Sequence, residues 1–219
     1  MKREEKNASD TQLLWKQNCK TLTLTGESVL ELSLSWPEPE GKKLKGVRKY
    51  YQALQQRFQR KWESELYLRA CMALVEKRDQ SRVFTPWQAS LSGEVTNQNE
   101  KYFSITMTAR ERHGDHRLLE YRWGDVWYQE DGCPMQVKEC FSDQKRWRKT
   151  FLTAIAAAGA DLQEHGVCLD KDGIKRLHKC ISPHNFALTE QEIIFYCPQC
   201  TVAPAVEGTL EFRIPKSNA

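Results

Sequence analysis

The chain has 219 residues, of which 40% are hydrophobic and 28% charged, with a net charge of +4 and a mean hydropathy of −0.68. Seven Trp, seven Tyr and eight Phe are more large apolar mass than a disordered chain carries, so a substantial core is expected. No run approaches the roughly 18 apolar residues of a membrane span, which argues against membrane insertion.

The start, Met1 to Asn7, meets acidic and polar residues where an export signal needs an apolar stretch. Without such a signal the eight cysteines are expected to stay thiols in a reducing compartment, the cytoplasm. Residues 1–20 read as a polar lead-in and 21–219 as a single domain. Leu22 and Leu24, then Leu30, Leu32, Leu34 and Trp36, alternate with the period of half-buried strands joined at Gly26–Glu27. Pro37 and Pro39 are expected to stop the second strand.

Over 46–77 the spacing predicts a helix, because Val47, Tyr50, Tyr51, Leu54, Phe58, Trp62 and Leu66 recur at three and four. A meander is expected over 83–91, 102–108 and 118–128, followed by a tight turn at Asp131–Gly132. A second helix over 142–164 would bury Trp147, Phe151, Ile155 and Leu162, and a short one after Asp170 would use Ile174 and Leu177. Strands near 186–188, 193–196 and 209–214 complete the chain. The expected fold is α+β, a mainly antiparallel sheet with two long helices and one short helix packed on one side of it.

Three stretches carry a resemblance. One is the tail from His184-Asn185-Phe186 through Ile193-Ile194-Phe195-Tyr196 to Ala203-Pro204-Ala205-Val206-Glu207-Gly208 and a strand ending at Pro215. The others are the Tyr50-Tyr51 pair, and Gly124-Asp125-Val126-Trp127 leading through Asp131-Gly132 to Cys140-Phe141. In this order, over about residues 30 to 215, they resemble the RsiV-like domain of unknown function, which occurs in RsiV-type anti-sigma factors and beside PdaC-type peptidoglycan deacetylases. The resemblance implies a fold and names no active site. The Gly-Gly-Ala-His loop of many members is here Arg110-Glu111-Arg112-His113-Gly114-Asp115-His116, so no role of that loop carries over, nor do lysozyme sensing or deacetylation.

Cys197-Pro198-Gln199-Cys200 has the spacing of half a zinc site or of a redox pair, but a second pair is missing, since Cys133 and Cys140 stand too far apart. Packing or a turn explains it more simply. His113 and His116 read as solvated loop histidines, and Asp170-Lys171-Asp172-Gly173 as a helix cap rather than a calcium loop. No nucleophile elbow, phosphate loop or dinucleotide fingerprint occurs, so no catalytic residue and no cofactor is expected.

Lys42, Lys43, Lys45, Arg48, Lys49, Arg57, Arg60 and Lys61 occur without an intervening acid and form a basic helix face. Lys145, Arg146, Arg148 and Lys149 make a second cluster, and Lys171, Lys175, Arg176 and Lys179 a third. The reading is a non-catalytic binding or regulatory module for a protein or a cell-wall-type polymer. A partner is expected on the sheet face opposite the helices and around Ala203 and Pro204. The alternatives are nucleic-acid or acidic-glycan binding on the basic helices, with nucleic acid less favoured, and a thiol or zinc site at Cys197 and Cys200.

Overall fold

The structure, a computed structural model, describes residues 12–115, 117–170 and 172–218. Strands β1 (Leu13–Leu24) and β2 (Glu27–Pro39) form a hairpin whose turn residues Thr25 and Gly26 take φ of 51° and 87°. Both values suit the tight turns that match strand twist. The pairing begins at Leu13 opposite Pro39, so residues 13–20 are strand and not lead-in. Their polar run fits an edge strand, where only Leu13 and Trp15 near the start pack on the core.

Nor do Pro37 and Pro39 stop β2. The third strand pairs only with Leu30–Leu34, which leaves the prolines without a neighbour on that side.

Helix α1 (Lys45–Lys61), a wide π turn (Trp62–Leu66) and helix α2 (Tyr67–Asp79) follow as one continuous rod. Trp62, Leu66, Ala70 and Leu74 are all buried at a strict spacing of four. An ordinary helix repeats every 3.6 residues or so and drifts off such a line, so the wider turn keeps these side chains over the sheet. This rod is the crossover that lets β2 pair in parallel with β3 (Trp87–Gln98). Residues 83–86, expected as strand, are loop, because Pro86 offers no ladder donor and pairing starts at Trp87. Strands β4 (Tyr102–His113) and β5 (Arg117–Tyr128) complete a five-stranded sheet in the order β1-β2-β3-β4-β5.

Helices α3 (Trp147–Glu164) and α4 (Gly173–Cys180) precede β6 (Phe186–Leu188), β7 (Glu192–Cys197) and β8 (Leu210–Pro215). The last three form their own antiparallel sheet instead of extending the first. The fold is α+β, as expected, but built on two sheets. Phe186, Leu188, Ile193 and Phe195 join Phe151, Ile155 and Leu177 of the helices in one core, while Ala187, Ile194 and Tyr196 turn the other way. On that side the Leu188 N–H donates to Ser104 Oγ (2.8 Å), and the Tyr196 and Thr106 hydroxyls meet at 2.6 Å. The second sheet therefore lies on β4 and β5, across from α1, and helices end up on both outer sides.

Candidate ligand-binding cleft

On α1, Tyr50, Leu54, Arg57, Phe58 and Lys61 recur at helical spacing, and on β5, Tyr121, Trp123 and Asp125 alternate on one face. The two series face one another. Between them lies a cleft of about 950 Å³, closed at one end by His184 and Asn185 of the loop before β6.

Its floor is aromatic. The buried Trp123 ring lies between Phe58, with centroids 5.9 Å apart at 13°, and Tyr121, at 5.3 Å and 30°. Tyr121 and Tyr50 keep 46% and 38% of their surface in solvent, so each offers an open ring to a ligand.

Asp125 stands where the strand pattern calls for an apolar side chain, opposite Ile105 and between Trp123 and Trp127. Tyr50 donates to its Oδ1 at 3.1 Å and Tyr51 to its Oδ2 at 3.2 Å, while Trp127 Nε1 donates to the Tyr51 hydroxyl at 3.0 Å. Burial pushes the Asp125 carboxyl up to about 6, against the pull of the hydrogen bonds from Tyr50, Tyr51 and Trp123. Burial first and the Asp125 charge second hold both tyrosine hydroxyls well above their usual range, so their protons stay in place as donors.

The closing loop is fixed by Asn185, whose Oδ1 accepts the Gly124 N–H at 2.9 Å. A side chain on Gly124 would meet the Phe186 carbonyl carbon at 2.3 Å, so only glycine lets β6 pass this close to β5.

One wall is cationic. Lys61 Nζ pairs with Glu111 Oε1 at 2.8 Å, and the same oxygen accepts the Trp62 indole N–H at 2.8 Å. Burial raises the Glu111 carboxyl, but these two donors outweigh it and the net shift is downward. Arg57 and Arg60 are exposed on the same wall, and among the described residues no acid pairs with either guanidinium. The cleft thus offers two open rings, a carboxyl with oriented donors, an amide and two guanidinium groups without an acid partner, although Arg60 Nε donates to the Gln56 carbonyl at 3.2 Å.

Of the eight cations read from the sequence as one face, only Arg57, Arg60 and Lys61 line this cleft. Lys42, Lys43, Lys45 and Lys49 are exposed near the start of α1, and Arg48 donates to the Pro39 and Gly41 carbonyls at 2.8 Å, closing the loop before the helix. In the second cluster Arg148 lies over the Trp147 ring at 5.6 Å, and in the third Lys175 and Arg176 pair with Asp172 and Asp170. Lys171 and His116 lie outside the described residues.

Cys197 is buried at the end of β7, whereas Cys200 is exposed in a turn with φ of 63°. Among the described residues no group of three His, Cys, Asp or Glu side chains could hold a metal ion. Ala203 is buried and Pro204 exposed. His113 is not a solvated loop residue; it ends β4 with its ring stacked on Trp87, centroids 4.2 Å apart at 7°.

In the sequence alone Tyr50, Asp125 and Asn185 read as fold residues. Yet the three stretches of resemblance supply these three side chains to one end of one cleft. A readable signal was the carboxyl interrupting Tyr121, Trp123 and Trp127 on the inward face of a strand.

Residues 163–217 match a family described as a protein of unknown function, DUF3298. No curated protein matches the chain. A crystal structure of a DUF3298 family member from Bacteroides fragilis NCTC 9343 is similar, with a TM-score of 0.62, 15% identity, and coverage of 97% of this chain and 93% of that one. A DUF3298 family protein from Pseudomonas aeruginosa PAO1 aligns with a TM-score of 0.58 and 14% identity, over 95% of this chain and 91% of that one. The chain has the fold of these two proteins, and its C-terminal segment carries the sequence pattern of a domain family of unknown function.

Proposed function

We propose that the chain is a non-catalytic binding module and that its ligand is a carboxylate-bearing glycan of the cell-wall type, held between α1 and β5. The observation that carries this reading is that the open Tyr50 and Tyr121 rings, Arg57 and Arg60 without an acid partner, and the Asp125 carboxyl line one cleft. Sugar rings present C–H faces to aromatic planes, and their hydroxyls donate to carboxylates and amides. An acidic substituent would meet a guanidinium fork in two hydrogen bonds.

Single-stranded nucleic acid also stacks on aromatic side chains beside cations. Here, however, Asp125 and Glu65 line the same cleft and would repel a continuous phosphate chain. A glycan with one carboxylate per few hydroxyls suits this mixture better. The resemblance to a domain found beside peptidoglycan deacetylases supports the same ligand class. The described cysteines, all free thiols, support a cytoplasmic setting.

The test is a calorimetric titration with a tetrasaccharide of alternating N-acetylglucosamine and N-acetylmuramic acid, beside neutral chitotetraose and an oligouridine. The acidic sugar is expected to bind most tightly, and Tyr121→Ala to weaken it about tenfold, the worth of one stacking contact. Oligouridine binding without sugar binding would replace this reading with the nucleic-acid one.

A further inference from the structure

We infer that the cleft is one end of a longer groove, and that the module holds an extended glycan strand across two subsites, the second walled by the turn at 198–200. This rests on the glycan reading above and adds to it the length and direction of the ligand.

A second cleft of about 400 Å³ shares Phe58, Lys61 and Tyr121 with the first. Beyond them it is lined by Ala109, Leu119, the turn at 198–200, and the carboxylates of Glu111 and Glu120, the first paired with Lys61 and the second with Arg110 and Arg122. Asp125, Trp123, Tyr121 and Leu119 alternate along one face of β5, so the floor that joins the two clefts is roughly 20 Å long at about 3.3 Å per residue. Lys61, near the end of α1, reaches Glu111 on β4, so the helix follows this floor along its length. A single ring on Tyr121 would not reach Leu119 and the rim at 198–200, whereas several linked rings would.

The far wall is held in place by one side chain. Gln199 Oε1 accepts the Glu120 N–H at 3.2 Å, and its Nε2 donates to the Leu118 carbonyl at 3.4 Å and the Ala205 carbonyl at 2.6 Å. The amide thereby ties the turn both to the outer edge of β5 and to the loop before β8. What the sequence offers as half of a metal or redox motif is here the rim of a groove. Pro198 and Leu119 give the second subsite apolar contact, and the Lys61–Glu111 pair gives it a polar side, a composition suited to a further sugar ring.

Cys200 stands on this rim as an exposed thiol and reports directly on occupancy. Alkylation by N-ethylmaleimide, resolved by peptide mass spectrometry, is followed with di-, tetra- and hexasaccharides of the alternating acidic glycan. Exposed Cys19 and Cys133 serve as internal references.

The hexasaccharide is expected to slow Cys200 alkylation about tenfold while leaving the references unchanged, and to bind about tenfold more tightly than the disaccharide. Cys200→Phe, which narrows the second subsite, should bring hexasaccharide affinity down to the disaccharide level and leave the disaccharide unaffected. A hexasaccharide that changes tryptophan fluorescence yet binds no better than the disaccharide, with Cys200 unprotected, would overturn the two-subsite inference and leave the glycan reading intact. Absence of binding at every length would sink both.

Discussion

The Tyr51 hydroxyl donates to Asp125 Oδ2 at 3.2 Å and accepts the Trp127 indole N–H at 3.0 Å, so one buried oxygen links the helix to two residues of β5. Removing it leaves a part-buried indole donor without its acceptor. Tyr51→Phe is therefore expected to cost about 1–3 kcal/mol, read as a shift of the urea midpoint at constant slope. Tyr50→Phe, at a half-exposed ring, should cost less than about 1 kcal/mol, because water replaces its partner. Equal losses at both positions would contradict this account of the pair.

Asp125 predicts an unusual pH dependence. Its folded carboxyl titrates at about 6, above the 3.8 or so of an unfolded chain. Below about 4 both states hold the proton, and the side chain adds no pH term. Between about 4 and 6 the unfolded chain releases its proton first, so stability falls as pH rises, and the penalty is complete above 6. Allowing for partial solvent contact, the loss is on the order of 1–3 kcal/mol at about 1.4 kcal/mol per unit. Asp125→Asn abolishes this slope, so the variant should gain on the parent chain between pH 4 and pH 7. Parallel stability curves for the two proteins would refute the assignment.

Gly124→Ala tests the crossing of β5 and β6. Its methyl would fall 2.3 Å from the Phe186 carbonyl carbon, and backbone cannot swing aside as a side chain can. A loss on the order of 3 kcal/mol is expected, with the Asn185 hydrogen bond broken as the strands part. Thermal denaturation and the ligand titration should both register it.

Two of the polar contacts between the sheets should respond differently to mutation. Ser104→Ala strands the Leu188 N–H in the interior, at about 1–3 kcal/mol. Thr106→Val does the same to the Tyr196 hydroxyl, yet adding Tyr196→Phe removes the orphan as well. The double variant is expected to be more stable than Thr106→Val alone, a positive coupling that a double-mutant cycle measures.

The first helix was legible because its stripe from Val47 to Leu66 is long and one-sided. The second sheet was not, since every residue from Ile193 to Cys197 is buried and a strand covered on both faces shows no alternation. Nothing local distinguishes the β7–β8 pairing from one in which these strands extend the first sheet. The parallel register of β2 and β3 was hidden for a similar reason, because it depends on where the long crossover of helix and loop between Pro39 and Trp87 sets the chain down. In the cleft, Asp125 was visible as a misplaced carboxyl, but its partner Tyr50 lies 75 residues away and only the fold brings them together. Arg48 shows the opposite failure: a cation counted with the helix surface is spent on two loop carbonyls.

The π turn at Trp62–Leu66 sets the phase between the two halves of the crossover. Excising one residue there would restore the ordinary helical repeat and rotate everything downstream by about 100°. Leu68 and Met72, now largely in solvent, would swing about the axis, and Ala70 and Leu74 would leave the sheet. A change of chain length that a loop absorbs without effect would thus misalign α2 against β2, while α1 and the cleft beside it kept their seat. One rod thus carries both the wall of the cleft and the brace against β2, with a phase break between them.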